Sequence, residues 1–156
     1  MSAESIRDFE DLLTLFDRHK VRYLIVGGLA FIYHAKPRYT KDMDLWVDPT
    51  PPNLERANAA LSDFGSPILL SCEDRTEIAQ IGLAPNRIDL LQALGSLPFD
   101  EAWSSRVVDT YGGAPANWIG LDCLLRVKES IDVPRHQEDA RVLREVKRLR
   151  QRKGEG

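Results

Sequence analysis

Asp42 and Asp44 stand two residues apart in "KDMDLWV", inside an otherwise apolar run. If that run is a strand, Met43, Leu45 and Val47 point one way and the two acids the other, roughly 6.5–7 Å apart along the chain. Two carboxylates that close repel each other, and taking either out of water is costly. A hard divalent cation removes both objections, because Mg²⁺ takes oxygen ligands and usually keeps several waters. Asp89 repeats the pattern in "NRIDLLQAL", with Ile88 and Leu90 on one face and the acid on the other. Should the two strands be neighbours, three carboxylates converge. The bland alternative for each acid is a solvated strand face.

Gly27-Gly28 close the apolar run "RYLIV" and open the next helix. A helix N-terminus offers unpaired N–H groups and a favourable dipole, and glycine lets a phosphate approach the backbone. A tight turn needing positive φ is the other reading. With no G-x-G-x-x-G and no Walker lysine motif, neither a dinucleotide fold nor a P-loop is indicated.

Other residues carry two readings each. Lys128 follows "LDCLLRV" and is either a phosphate contact or a snorkelling surface lysine. Arg38 and Thr40 lie in the segment leading to Asp42, where polar side chains bind ligand or merely solvate. His34 reads as a packing or capping histidine. Trp46 shares the acids' face, as core or as pocket wall, while Phe99, Trp103 and Trp118 read as core.

The elements that must position these residues follow from periodicity. An amphipathic helix is predicted over 4–19, from Ile6, Phe9, Leu12, Leu13 and Phe16. Strands are predicted at 22–26 and 42–47, with helices at 28–35 and 53–63. Residues 77–83 and 86–94 read as a hairpin turning at Ala84-Pro85, and 106–119 as a second one turning at Gly112-Gly113. A short helix is predicted over 98–104, and two more near 120–130 and 135–153, with Pro134 before the last. Strands and helices are mixed, with hairpins among the strands. That argues for an α+β fold, a mixed sheet with helices packed mainly on one side.

At 156 residues one domain spanning 1–156 is expected. No apolar run reaches the roughly 18 residues a bilayer requires, and the start has no signal-peptide pattern. Cys72 and Cys123 are far apart and in no metal-ligand spacing, which fits a reduced, cytoplasmic protein. Residues 141–153 hold seven Arg or Lys and one Glu, a net +6, against −9 for the rest of the chain. The basic helix is either a solvated helix end or a landing strip for a nucleic acid.

Taken in order, "VGGLAFIYHAKPRYTKDMDLWV" and "RIDLL" resemble the polymerase-β-like nucleotidyltransferase superfamily. The likeness is nearest to the small bacterial group around AbiEii-type toxins, the minimal nucleotidyltransferases, through Gly27, Gly28, Ala30, His34, Arg38, Thr40, Asp42 and Asp44. It extends to Lys128, Pro134, Glu138 and Asp139 in "KESIDVPRHQED", which is similar to the group's closing "K…GRPKDxED". Val133 and His136 depart from that wording. The resemblance implies that Asp42, Asp44 and Asp89 bind two Mg²⁺ (or Mn²⁺) ions, and that Asp89 accepts the proton of an attacking hydroxyl. Gly27 and Gly28 would cradle the phosphates of a nucleoside triphosphate, with Arg38, Thr40 and Lys128 beside them. The implied reaction is transfer of NMP from NTP to a hydroxyl on RNA, a protein or a small molecule, in-line with pyrophosphate leaving. A toxin–antitoxin component, with a cognate protein partner, is implied by the nearer likeness. The rival from another class is a non-catalytic nucleotide-binding or antitoxin module that acts by masking a protein.

Overall fold

The computed structural model describes residues 3–40, 42–73, 75–83 and 86–154. Twelve elements follow one another: α1 (Ala3–Arg18), β1 (Tyr23–Val26), α2 (Gly27–His34), β2 (Asp42–Val47), α3 (Pro51–Phe64), β3 (Ala79–Ile81), β4 (Arg87–Leu91), α4 (Phe99–Ser104), β5 (Val107–Tyr111), β6 (Ala114–Trp118), α5 (Leu121–Glu129) and α6 (Pro134–Gly154). The order is the expected one. The main differences are at boundaries: β3 and β4 are shorter than the predicted runs, and α3 begins two residues earlier. Pro51 and Pro52 occupy its first turn, where a missing N–H costs nothing. The proposed hairpin turn at Ala84-Pro85 lies outside the described residues.

One six-stranded mixed sheet runs β3-β4-β2-β1-β6-β5. β1 sits centrally and all four of its residues are buried, as expected of a strand covered on both faces. It pairs antiparallel with β2, Tyr23 opposite Val47 and Val26 opposite Asp44. β2 in turn pairs parallel with β4, Met43 opposite Ile88 and Leu45 opposite Leu90. The two hairpins, β3-β4 and β5-β6, flank this core.

Phe9, Leu12, Leu13 and Phe16 form the buried stripe of α1 and are fully enclosed. Phe16 packs on Tyr23 with ring centroids 5.3 Å apart, which sets α1 on the face carrying Tyr23, Ile25 and, across the register, Leu45 and Val47. On the opposite face, Phe99 of α4 meets Trp46 edge-on at 5.1 Å. Trp46 is therefore core and no pocket wall, at 1% exposure. Asn53 is fully buried at the start of α3. It accepts from the Arg22 amide at 2.8 Å and donates to the carbonyls of Arg22 (3.0 Å) and Asp48 (2.8 Å). One side chain thus ties the start of β1 to the end of β2. Among the described residues no helix is long and apolar enough to cross a membrane.

Candidate active site

The register carries the acids together. Because β2 and β4 are parallel neighbours, Asp44 stands opposite Asp89 and Asp42 opposite Arg87. Residues opposite one another project on the same face, so all three carboxylates share a face with Arg87 at the fourth corner. Arg87 Nη2 donates to Asp42 Oδ2 at 2.7 Å and to Asp89 Oδ2 at 3.2 Å, and its Nε lies 3.0 Å from Asp89 Oδ1. The sequence reading missed this arginine. The signal was available, since Arg87 and Asp89 are i and i+2 on one strand and must share its face.

Burial, then the charges of Asp89 and Asp42 and a hydrogen bond shared with Asp89, push the Asp44 carboxyl up to about 7, against the lowering influence of Arg87.

Gly27 makes the approach of Asp44 possible. It takes φ +67°, and a Cβ on it would stand 2.0 Å from Asp44 Oδ2. A Cβ on Gly28 would lie 2.9 Å from Thr40 Oγ1. Gly27 is thus required by the turn as well as by the packing of the site, and Gly28 by its close approach to Thr40 alone.

A cleft of about 460 Å³ opens beside the acids, lined by Gly27, Gly28, Arg38, Thr40, Asp42, Asp44 and Lys128, joined by Tyr39, Arg135 and His136. Seven of the eight singled-out site residues therefore meet in one cavity. Asp89, the eighth, is not among its walls. It is buried beside Asp44 and held by Arg87. A smaller, largely aliphatic pocket of about 170 Å³ adjoins, sharing Gly27, Asp44, Lys128 and His136 with the cleft.

Lys128 is buried, and so is Asp139. Lys128 Nζ lies 2.9 Å from Asp139 Oδ2 and 3.2 Å from His136 Nδ1. Arg38 forks onto the same carboxylate, at 2.8 and 3.1 Å, and lies 4.1 Å over the Phe31 ring. Burial pushes Asp139 up, but the hydrogen bonds from Arg38 and Lys128 outweigh it and hold the carboxyl below its usual range. Burial, and then the charges of Lys128 and Arg135, lower His136. The neutral ring can accept from Lys128. Asp139 thus fixes two cations from separate elements at the cleft wall.

His34 is a packing histidine as expected, buried with Nε2 2.7 Å from the Ile119 carbonyl. The basic α6 is already engaged with the protein. Arg144 pairs with Glu129 at 2.9 Å, Lys147 with Asp122 at 3.1 Å, Arg148 with Glu145 at 2.5 Å, and Arg150 donates to the His34 carbonyl at 3.3 Å.

The carboxylates suit a hard divalent ion in kind, being all-oxygen donors. Asp42 Oδ1 and Asp89 Oδ1 are buried without a hydrogen bond. Among the described residues, no group of three or more His, Cys, Asp or Glu side chains stands in an arrangement that could hold a metal ion.

The sequence matches no protein-family model and no curated protein. Among solved structures, the chain is similar to ANT(2'')-Ia in complex with adenylyl-2''-tobramycin, at 18% identity and a TM-score of 0.61 over 96% of each chain. The solution structure of that antibiotic-resistance factor gives 17% identity and a TM-score of 0.62, over 97% of this chain and 91% of the other. TM1012 of Thermotoga maritima, named as a candidate nucleotidyltransferase, gives 13% and 0.61 over 100% and 96%. The chain has the nucleotidyltransferase fold, with an α+β architecture and a mixed sheet.

Proposed function

We propose that the protein is a divalent-cation-dependent nucleotidyltransferase that moves an NMP from an NTP to a hydroxyl acceptor. The observation that carries this reading is the register that sets Asp42, Asp44 and Asp89 on one sheet face, beside the Gly27-Gly28 turn. Gly27, Gly28 and Thr40 line the cleft on one side, and Lys128 and Arg38, braced by Asp139, supply positive charge for a triphosphate. Asp42, Asp44 and Asp89 would hold Mg²⁺ or Mn²⁺, which when bound polarises phosphoryl oxygens and neutralises their charge. Asp89 is the group proposed to take the acceptor's proton. The nucleotidyltransferase fold and its likeness to a protein solved with adenylyl-2''-tobramycin support NMP transfer.

For the acceptor, RNA, a protein hydroxyl and a small polyhydroxylated molecule remain the candidate classes. The ion pairing of Arg144, Lys147 and Arg148 gives an RNA less free charge on α6 than the sequence suggested. A cytoplasmic single-domain protein of the AbiEii-like group, paired with a cognate toxin or antitoxin protein, is the biological setting proposed. Should nucleotide bind without turnover, the non-catalytic module becomes the better reading.

Nucleotide binding is checked by thermal denaturation. Mg²⁺ plus an NTP is expected to raise the melting temperature, since a ligand bound only to the folded state stabilises it. Asp44→Asn is expected to remain folded and lose that shift. A variant that keeps the full shift would contradict metal-assisted nucleotide binding here.

A further inference from the structure

The cationic wall of the cleft holds one group whose charge is not fixed. His136 lines both the cleft and the aliphatic pocket beside it. It stands in the first turn of α6, which carries no acidic residue, and the positive end of a helix disfavours a further positive charge. The charged groups around it come from three parts of the chain. Lys128 of α5 lies 3.2 Å from Nδ1. Arg135 and Asp139 precede and follow it on α6, while Arg38, Asp42 and Asp44 share the cleft wall. Asp139 is already engaged, by Arg38 at 2.8 and 3.1 Å and by Lys128 at 2.9 Å. A lysine only donates, so Nδ1 accepts from Lys128 and the neutral ring carries its proton on Nε2. In the empty cleft, burial and then the charges of Lys128, Arg135 and Arg38 hold the ring in that neutral form, against the pull of Asp139.

A polyanion in the cleft changes this balance, because opposite charge at close range favours the imidazolium. We propose that His136 is a phosphate-binding residue that takes a proton from solvent onto Nδ1 as the triphosphate enters. Nδ1–H then donates where Nδ1 accepted. Lys128 loses that acceptor, stays anchored by Asp139, and directs the released N–H at phosphate. The cleft thereby gains a positive charge and two donors only when an anion is present to use them. Empty, it is spared the repulsion of a fourth cation beside Arg38, Lys128 and Arg135. This inference rests on placing the triphosphate in this cleft, and it draws on no metal ion.

Titration of the His136 ring by nuclear magnetic resonance tests it, on the full chain in metal-free buffer with inorganic tripolyphosphate as the probe. The chain has three histidines, and the His136 ring is assigned through its bonded neighbours, so the midpoint is read on the parent alone. Saturating tripolyphosphate is expected to raise that midpoint by at least about one pH unit. His19, which pairs with Asp63 and is not part of the cleft wall, should keep its own. Affinity gives a second readout. The amide oxygen of His136→Gln can still accept from Lys128, but the side chain cannot gain a charge. The parent's advantage over this variant should shrink about ten-fold as pH rises from about 5 to about 8.5, and the comparison cancels the probe's own ionisation. Tripolyphosphate that moves the Gly27, Gly28 and Lys128 resonances but leaves the His136 midpoint in place overturns the proposal and leaves the nucleotide cleft standing. Parallel pH dependence in the parent and a folded His136→Gln does the same. Tripolyphosphate that moves none of these resonances overturns the placement of the triphosphate, and this proposal with it.

Discussion

At Gly27 a backbone requirement and a side-chain requirement coincide, since the positive φ and the 2.0 Å gap to Asp44 Oδ2 both exclude a methyl group. Gly27→Ala is expected to cost about 1–2 kcal/mol for the left-handed conformation. The clash falls on the end of Asp44, which can swing away, so activity should suffer more than folding. Steady-state kinetics should show a loss of at least about 100-fold from the misplaced carboxylate. Asp44 itself titrates in the opposite sense to an ordinary surface acid. Its folded pKa of about 7 lies above the usual 3.8 of an aspartate. Its contribution to stability is therefore complete below the unfolded value and is lost as pH rises through about 7. In metal-free buffer at pH 8, Asp44→Asn is expected to melt a few degrees above the parent, the equivalent of about 1–2 kcal/mol. A lower melting point would contradict the repulsion assigned to this site. Alternation along each strand was enough to read which side of it the acids occupy. The same parity, applied to Arg87, would have placed the arginine with them. Its ion pairs depend on the β2–β4 register, which is a tertiary fact.

Among the elements, β2 and β4 became parallel neighbours although α3 and β3 intervene in sequence. The local patterns marked both as strands without stating their order in the sheet. That order arises because apolar Met43 and Leu45 register with Ile88 and Leu90, burying one face and leaving the acids on the other. Asn53 was equally hidden, since an asparagine near a helix start reads as a cap. It is instead a fully buried bridge between the ends of β1 and β2. Asn53→Ala would leave the Arg22 amide and the Asp48 carbonyl short of a partner, while the Arg22 carbonyl keeps the Asp48 amide at 3.1 Å. A loss of about 2–4 kcal/mol in urea-induced unfolding is expected, each buried orphan costing about 1–3 kcal/mol. A loss below about 1 kcal/mol would show that other groups or water satisfy these atoms. The charge of α6 was plain in the sequence, whereas its pairing with Glu129 and Asp122 of α5 depends on how the two helices dock.

For the molecule as a whole, His34 reports on how α2 meets the strand end at Ile119. Burial lowers its pKa, against the raising effect of the hydrogen bond to Ile119, and nearby Arg150 lowers it further. The folded protein therefore prefers the neutral ring. Its contribution to stability is present above about 6.5 and is lost as pH falls below that value. Asp44 titrates in the opposing direction, so the comparison belongs in an Asp44→Asn background. There, His34→Gln, which can still donate to the Ile119 carbonyl, should flatten the fall in melting temperature between pH 7 and pH 5. An unchanged slope would assign that fall to other groups. The central claim is that Asp42, Asp44 and Asp89 together transfer a nucleotide, and position-specific labelling of the triphosphate tests it directly. Each NTP, labelled at either the α- or the γ-phosphate, is incubated with the protein and Mg²⁺ in the presence of RNA, cell protein and small polyhydroxylated acceptors. The α-label is expected on an acceptor and the γ-label in pyrophosphate, with Asp42→Asn reducing transfer by at least about 100-fold. Transfer of the γ-label, or α-label transfer that survives in Asp42→Asn, would contradict it.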